Sequence, residues 1–199
     1  MSSIEQKNPQ ILVFAGPNGS GKSTITKKVQ PIGLYINADD IKAMNGCSDL
    51  AAAQEAEAIR EHLLKKKSSF TFETVLSTPR NLELLKRAKN EGYSIFAVFV
   101  LTADSAINVQ RVKFRALGGG HDVPEDKIVE RYHRSLKNIA PLARIADDLK
   151  IFDNSGEYPV CICSKHGNIV EIFPSERWSK KDIFALLMDQ EKRIESKDR

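Results

Sequence analysis

The sequence predicts a three-layer α/β domain in which a five-stranded parallel sheet lies between helices, with a C-terminal hairpin and helix added. Three observations carry this. Short continuous apolar runs, Ile11–Ala15 and Ser94–Leu101 the clearest, have the composition of parallel strands buried on both faces. Segments of helical period alternate with such runs across short connections. At 199 residues, 41% apolar and 28% charged, the chain is of a size to form one domain with a core of its own.

The elements follow in order. Strand 11–15 runs into a glycine-rich turn, and Lys22 opens a helix that Pro31 must end. Leu34–Ile36 forms a second strand that delivers Asn37, Asp39 and Asp40 at its C-terminal end. Ala52, Ala56, Ile59 and Leu63 recur at steps of 4, 3 and 4 and make a helix of 50–66. Strand 69–73 ends at Glu73. Thr78 reads as a cap and Pro79 as the first position of a helix whose Leu82, Leu85 and Ala88 share a face until Gly92. After strand 94–101 comes a helix over 104–117, then Gly118-Gly119-Gly120, a hinge by composition. A further helix begins at Asp122-Val123-Pro124 and buries Ile128, Tyr132, Leu136 and Ile139. Residues 149–153 make the fifth strand. Residues 159–164 and 169–173 alternate in polarity around His166-Gly167-Asn168, as a hairpin does. Ser179–Asp182 is a capping box for a last helix, and the charged tail Asp189–Arg199 is expected to fray. The organisation is a single domain, 1–199, with core 10–156, a lid of about 104–139 and an appendage of 157–199.

Composition excludes several classes. Thirty Lys+Arg against 26 Asp+Glu give a net charge of +4, which suits an anionic substrate and does not indicate a nucleic-acid partner. The three cysteines, Cys47, Cys161 and Cys163, cannot all pair, and have no metal-site spacing, so free thiols in a reducing compartment are expected. No apolar run approaches the roughly 20 residues of a membrane helix, and Met1–Lys7 lacks a leader's apolar stretch. Cytoplasm, with no membrane partner, is the expectation.

Gly16-Pro17-Asn18-Gly19-Ser20-Gly21-Lys22-Ser23 fits the phosphate-binding pattern of glycine, four residues, glycine, lysine, serine, with Thr24 next along the helix. Glycines let backbone N–H groups converge on an anion, and the helix N-terminus adds a favourable field. Lys22 reaches the β- and γ-phosphates and the Ser23 hydroxyl joins a magnesium shell. This is the P-loop of an NTPase fold, with ATP and Mg2+ as expected cofactors; no guanine-reading Asn-Lys-x-Asp is present.

Ligands in open parallel sheets bind beyond the strands' C-terminal ends, where Asp39, Asp40 and Glu73 fall. Asp39 is the candidate base for an acceptor hydroxyl, and Asp40 the candidate cap of a helix starting near Ile41. Glu73 is assigned to substrate or magnesium, with Thr74 beside it. Between Arg111 and Lys137 stand seven Lys/Arg and four Asp/Glu, so helix, hinge and helix can close arginines over the transferring group. Arg111, Arg115 and Arg131 are the candidates there, with His121 and Arg134 as substrate contacts. Asn154, after the fifth strand, is placed near the nucleotide base by analogy with nucleotide kinases. These residues leave three readings open: a kinase for a small-molecule hydroxyl, a hydrolase that controls a partner, and a nucleotide-binding module.

Taken together, the phosphate loop, Ile36–Asp40, Phe72-Glu73-Thr74, Asn108–Arg111, Gly119–Pro124 and Arg131-Tyr132 resemble the zeta toxin family, P-loop kinases of bacterial toxin–antitoxin systems, over about residues 10–156. The resemblance implies ATP-dependent phosphorylation of a hydroxyl, in well-studied members that of UDP-N-acetylglucosamine and in a relative the adenosine ribose of NAD. It implies Asp39 as base, Glu73 as substrate-binding acid, Lys22 and Ser23 as phosphate and magnesium residues, and Arg111 as the first lid arginine. His121 stands where larger members have the second, which leaves Arg115 or Arg131 to substitute. An antitoxin protein obstructing the nucleotide site is the implied partner.

Overall fold

The computed structural model describes residues 8–120 and 122–188. Met1–Lys7, His121 and the tail Asp189–Arg199 lie outside them. Five parallel strands form the centre: β1 (Gln10–Ala15), β2 (Leu34–Ile36), β3 (Phe70–Thr74), β4 (Ser94–Leu101) and β5 (Asp148–Asp153). The sheet has seven strands rather than five, because β6 (Val160–His166) and β7 (Ile169–Ile172) add to its edge in the order β2-β3-β1-β4-β5-β6-β7. The expected hairpin is therefore an antiparallel continuation of the sheet: β6 pairs with β5 from Asp148↔His166 to Asp153↔Val160. The reason is physical. An unpaired β5 edge would leave a row of backbone donors and acceptors open, and the hairpin satisfies them.

The helices are α1 (Lys22–Thr26), α2 (Ala38–Asn45), α3 (Asp49–Lys65), α4 (Arg80–Asn90), α5 (Ser105–Leu117), α6 (Glu125–Lys137), α7 (Ile139–Ile145) and α8 (Lys180–Leu187). They divide unequally between the sheet faces. Ile11, Val13 and Ala15 of β1 join a large core with residues of α3, α4, α7 and α8, whereas Leu12 and Phe14 meet Ile25 of α1 and Val100 in a thin layer. A third cluster, Val109, Val112, Val123 and Ile128, binds α5 to α6. Lys113 Nζ donates to Glu125 Oε2 at 2.6 Å across the same pair.

Several local expectations are corrected. Asn37, not Asp40, caps α2: its side chain accepts from Asp39 N at 2.9 Å, so the helix begins three residues before Ile41. Helix α1 stops after one turn, where Lys28 and Val29 bond three residues back to Ile25 and Thr26 instead of four. Pro79 itself occupies the cap position of α4, with no side-chain bond from Thr78. The stripe on α3 is Ala52, Ala56, Arg60 and Leu64, with Ile59 and Leu63 only half-buried. The 122–139 helix is two helices, and Ile139 belongs to α7. The capping box at Ser179–Asp182 is present, and Ile183 enters the core while Phe184 and Met188 stay exposed.

Candidate active site

Residues 16–21 leave β1 and meet α1 as a tight loop whose supports come from behind. Gly16 N donates to Thr74 O (3.2 Å) and Ser20 N to Pro17 O (3.2 Å). Asn108, fully buried on α5, donates from Nδ2 to Asn18 O at 2.6 Å and accepts from the Thr102 hydroxyl. Asn154 donates from Nδ2 to Ser20 O at 2.8 Å. Two glycines are required by these approaches. Gly19 (φ 76°) carries its α-carbon where a Cβ would stand 2.5 Å from Asn108 O, and Gly21 (φ 84°) where one would stand 2.1 Å from Asn154 Nδ2. The loop is thus braced from behind by two asparagine side chains and by close backbone approaches that only glycine allows. Lys22 Nζ turns inward and donates to Gly16 O at 2.8 Å. Burial lowers its pKa; Glu73 and then Asp39 oppose this, and Arg115 adds to it. Lys22 therefore reaches both acids' fields from the loop.

The cleft beside the loop holds about 600 Å³, within the size range of ligand pockets. It gathers elements far apart in the chain. Asn18, Gly19, Gly21, Lys22 and Ser23 form its floor. Asp39 and Asp40, on the first turn of α2, and Glu73, at the end of β3, line it, with Arg111 and Arg115 of α5 on another side. Parallel pairing explains the convergence: Ala15 lies opposite Thr74 and Ile36 opposite Phe72, so β1 and β3 end level, β2 ends two residues before them, and all three release the chain at the same edge of the sheet. The Tyr35 hydroxyl donates to Glu73 Oε1 and fixes that carboxylate. Burial, then the bond to Glu73, pushes the Tyr35 pKa well up, so the phenol stays a donor. Arg111 Nη1 and Asn18 Oδ1 are buried with no hydrogen-bond partner among the described residues. Such groups are costly unless a ligand meets them.

Other expected site residues fall elsewhere. Gly16, Pro17 and Ser20 are buried parts of the loop's frame, and Thr24 lies exposed on α1. The Thr74 hydroxyl accepts from Leu76 N (2.9 Å) and Asn81 Nδ2 (2.8 Å), which makes it a turn-stabilising group although it borders the cleft. Asn154 is 5% exposed and supports the loop from below rather than lining the cleft. Arg131 and Arg134 do not line it; Arg134 pairs with Glu130 at 2.8 Å on its own helix. His121 is outside the described residues. Three residues escaped the sequence reading: Asn108 as a loop support, Tyr35, and Arg60, a buried arginine of α3 that lines the cleft.

The donor set suits a magnesium ion. Ser23 and three carboxylates share one cleft, and Mg2+ takes one or two protein oxygens, with phosphates and waters completing its shell.

The profile of the zeta toxins matches residues 1–161. This chain belongs to the zeta toxin family. It is 28% identical over 127 residues to an uncharacterised protein of Haemophilus influenzae, an alignment covering 61% of this chain and 91% of that one. Its fold is similar to a chain of the AvrRxo1-ORF1:AvrRxo1-ORF2 complex crystallised with sulfate ions (TM-score 0.68, 13% identity, 92% of this chain and 65% of that one). The same complex with ATP gives a TM-score of 0.64 at 12% identity, over 92% of this chain and 64% of that one. The PezAT chromosomal toxin–antitoxin system of Streptococcus pneumoniae gives 0.53 at 18% identity, over 98% of this chain and 88% of that one. The chain thus spans just under two thirds of the AvrRxo1 chains it matches, and at these identities the likeness to the solved structures is one of fold. No helix among the described residues is long and apolar enough to cross a membrane.

Proposed function

We propose that this chain transfers the γ-phosphoryl group of ATP to a hydroxyl of a small molecule, with Asp39 as the base. The observation that carries the reading is the sharing of one cleft by two carboxylate-bearing strand ends and the phosphate loop. A hydrolase needs only to place a water, whereas this cleft sets Asp39, Asp40 and Glu73 beside the loop, where an acceptor hydroxyl can be oriented and deprotonated. In the reaction the acceptor oxygen forms a bond to the γ-phosphorus. The bond from that phosphorus to the β–γ bridging oxygen breaks, and ADP leaves with the electron pair. The hydroxyl proton passes to Asp39, Glu73 orients the acceptor with its own position fixed by Tyr35, and Lys22 moves from Gly16 O onto the phosphates. Arg111 offers a buried, unpaired N–H to the charge that spreads over the moving group, and Arg115 lies beside it on the next turn of α5. Ser23 together with Glu73 would hold a magnesium ion, which would supply positive charge against the phosphate oxygens. A nucleotide-linked sugar is the acceptor the family resemblance supplies, and an antitoxin is the partner; the PezAT likeness supports the latter.

The test is incubation of the purified chain with γ-labelled ATP and a metabolite extract. Label in a new small molecule, absent with Lys22→Ala, is expected. Label only in inorganic phosphate would make the chain a hydrolase, and no turnover would make it a binding module.

A further inference from the structure

Helix α6 lies within the segment that the sequence reads as a lid, yet one of its faces is bonded to both strands that flank β1. Tyr132, Ser135 and Asn138 follow at steps of three and so share a face. Each donates from its side chain to a main-chain carbonyl just past a strand end. The Tyr132 hydroxyl donates to Thr102 O at 2.7 Å, directly after β4. Ser135 Oγ donates to Val75 O and Asn138 Nδ2 to Leu76 O, both at 2.7 Å and directly after β3. Tyr132 is 5% exposed and Ser135 is fully buried. In the sheet, β3 and β4 are the two neighbours of β1, the strand that delivers the phosphate loop.

Both gripped segments go on to hold that loop. On the β4 side, the Thr102 hydroxyl donates to Asn108 Oδ1, which turns the other end of the Asn108 amide to the loop, where Nδ2 donates to Asn18 O at 2.6 Å. Thr102 and Asn108 are fully buried, and Asn18 lines the cleft. Arg111, also in the cleft wall, stands three residues after Asn108 on α5. On the β3 side, Thr74 O accepts from Gly16 N at 3.2 Å. The turn beyond it contains Leu76 at φ 54°, a left-handed backbone that a leucine keeps only where its surroundings hold it. Here Leu76 N donates to Thr74 Oγ1 at 2.9 Å, and Asn138 holds the Leu76 carbonyl.

We propose that Tyr132 is a positioning residue for the nucleotide site, acting from α6 through Thr102 and Asn108 on the phosphate loop. This rests on the loop binding ATP and not on the fate of the phosphoryl group. Ser135 and Asn138 fix the helix from which Tyr132 reaches. Burial, with Asp104 and Asp153, pushes the phenol up to about 12, so it remains a donor. Loss of that donor frees Thr102, and with it the orientation of the Asn108 amide that meets the loop. Coupling of this kind is reciprocal, so nucleotide in the loop also tightens the docking of α6.

The experiment uses the whole chain as wild type, Tyr132→Phe, Asn108→Ala and the double variant. Each is titrated with a non-hydrolysable ATP analogue and magnesium by calorimetry, and unfolded in urea. Tyr132→Phe keeps the ring and is expected to bind the analogue at least about fivefold more weakly. The double variant is expected to bind no more weakly than Asn108→Ala alone, because both changes cut one chain of bonds. Amide exchange over residues 125–137 is expected to slow when the analogue binds to wild type, and to slow less in Tyr132→Phe. Analogue affinity within about twofold of wild type in Tyr132→Phe, with a lowered urea midpoint, overturns the proposal and makes the phenol a helix anchor only. Losses that multiply in the double variant overturn it as well. If Asn108→Ala does not fold, Thr102→Val takes its place in the cycle. A wild-type chain that bound no analogue would remove the nucleotide assignment together with this proposal, whereas label found only in inorganic phosphate would remove the kinase reading and leave this result standing.

Discussion

Asp39 and Asp40 are adjacent on one turn of α2, both facing the cleft, and only geometry separates their roles. Because Asn37 caps the helix, Asp40 has no cap to lose, and its carboxylate contributes only its interaction with the helix N-terminus, about 0.3 kcal/mol at an exposed position. Asp39→Asn keeps shape and loses charge. It is expected to lower phosphoryl transfer by roughly 10²–10⁴ while ATP affinity stays within a few-fold, since the loop holds ATP separately. Asp40→Asn should transfer at near-normal rate. Rates and ATP affinities for the two variants decide the assignment, and loss at Asp40→Asn instead would reverse it. At this scale Lys22 and Ser23 were legible because a loop that cradles phosphates needs a fixed spacing. Arg60 was not: among Glu57, Glu61 and His62 it reads as one more solvated charge, and its burial depends on β3 and α4, which no local pattern encodes.

The elements behind the loop explain why it is stiff. Asn108 on α5 and Asn154 after β5 reach the same short segment from two sides, which makes α5 a support of the phosphate loop as well as the helix that carries Arg111 and Arg115 into the cleft. Removing the Asn108 amide leaves Asn18 O without its donor and the Thr102 hydroxyl with Asp104 O, 3.2 Å away, as its one remaining acceptor. Asn108→Ala is expected to cost about 1–3 kcal/mol of stability and to weaken ATP binding, whereas a residue that only packed the helix would affect stability alone. Urea unfolding and nucleotide titration of the same variant check both. The parallel strands were legible because burial on both faces demands continuous apolar runs. The start of α2 was misread because Asn37 and Asp40 are both good cap residues and the chain uses the earlier one. Helix α7 follows α6 after one residue, and its Pro141 lies in the first turn, where its missing N–H costs nothing. The hairpin's alternation was visible, but its docking on β5 is a long-range choice.

For the molecule as a whole, buried weak acids set an alkaline limit. Burial pushes the Cys163 thiol up to about 11 and the Tyr132 phenol up to about 12. Both are neutral when buried, so their contribution to stability is complete below the unfolded pKa and declines as pH rises toward the folded value. Stability should fall between about pH 9 and 12, with the first part of the fall reduced in Cys163→Ala; urea midpoints at successive pH values test it. The C-terminal region gives the larger prediction. The family match ends at residue 161, but the core does not: Ile162, Cys163 and Ile183 are fully buried in the main cluster. Each fully buried aliphatic side chain contributes roughly 1.5–3 kcal/mol, and a domain's total stability is only about 5–15 kcal/mol. Ending the chain at Gly156 would remove these contacts and uncover the whole edge of β5, whose Leu149 and Ile151 lie in the core. The truncated protein is expected to aggregate or to lose cooperative unfolding even though every residue of the phosphate loop remains. A soluble, cooperatively folding 1–156 fragment that bound ATP normally would show instead that β6, β7 and α8 only decorate a self-sufficient five-stranded domain.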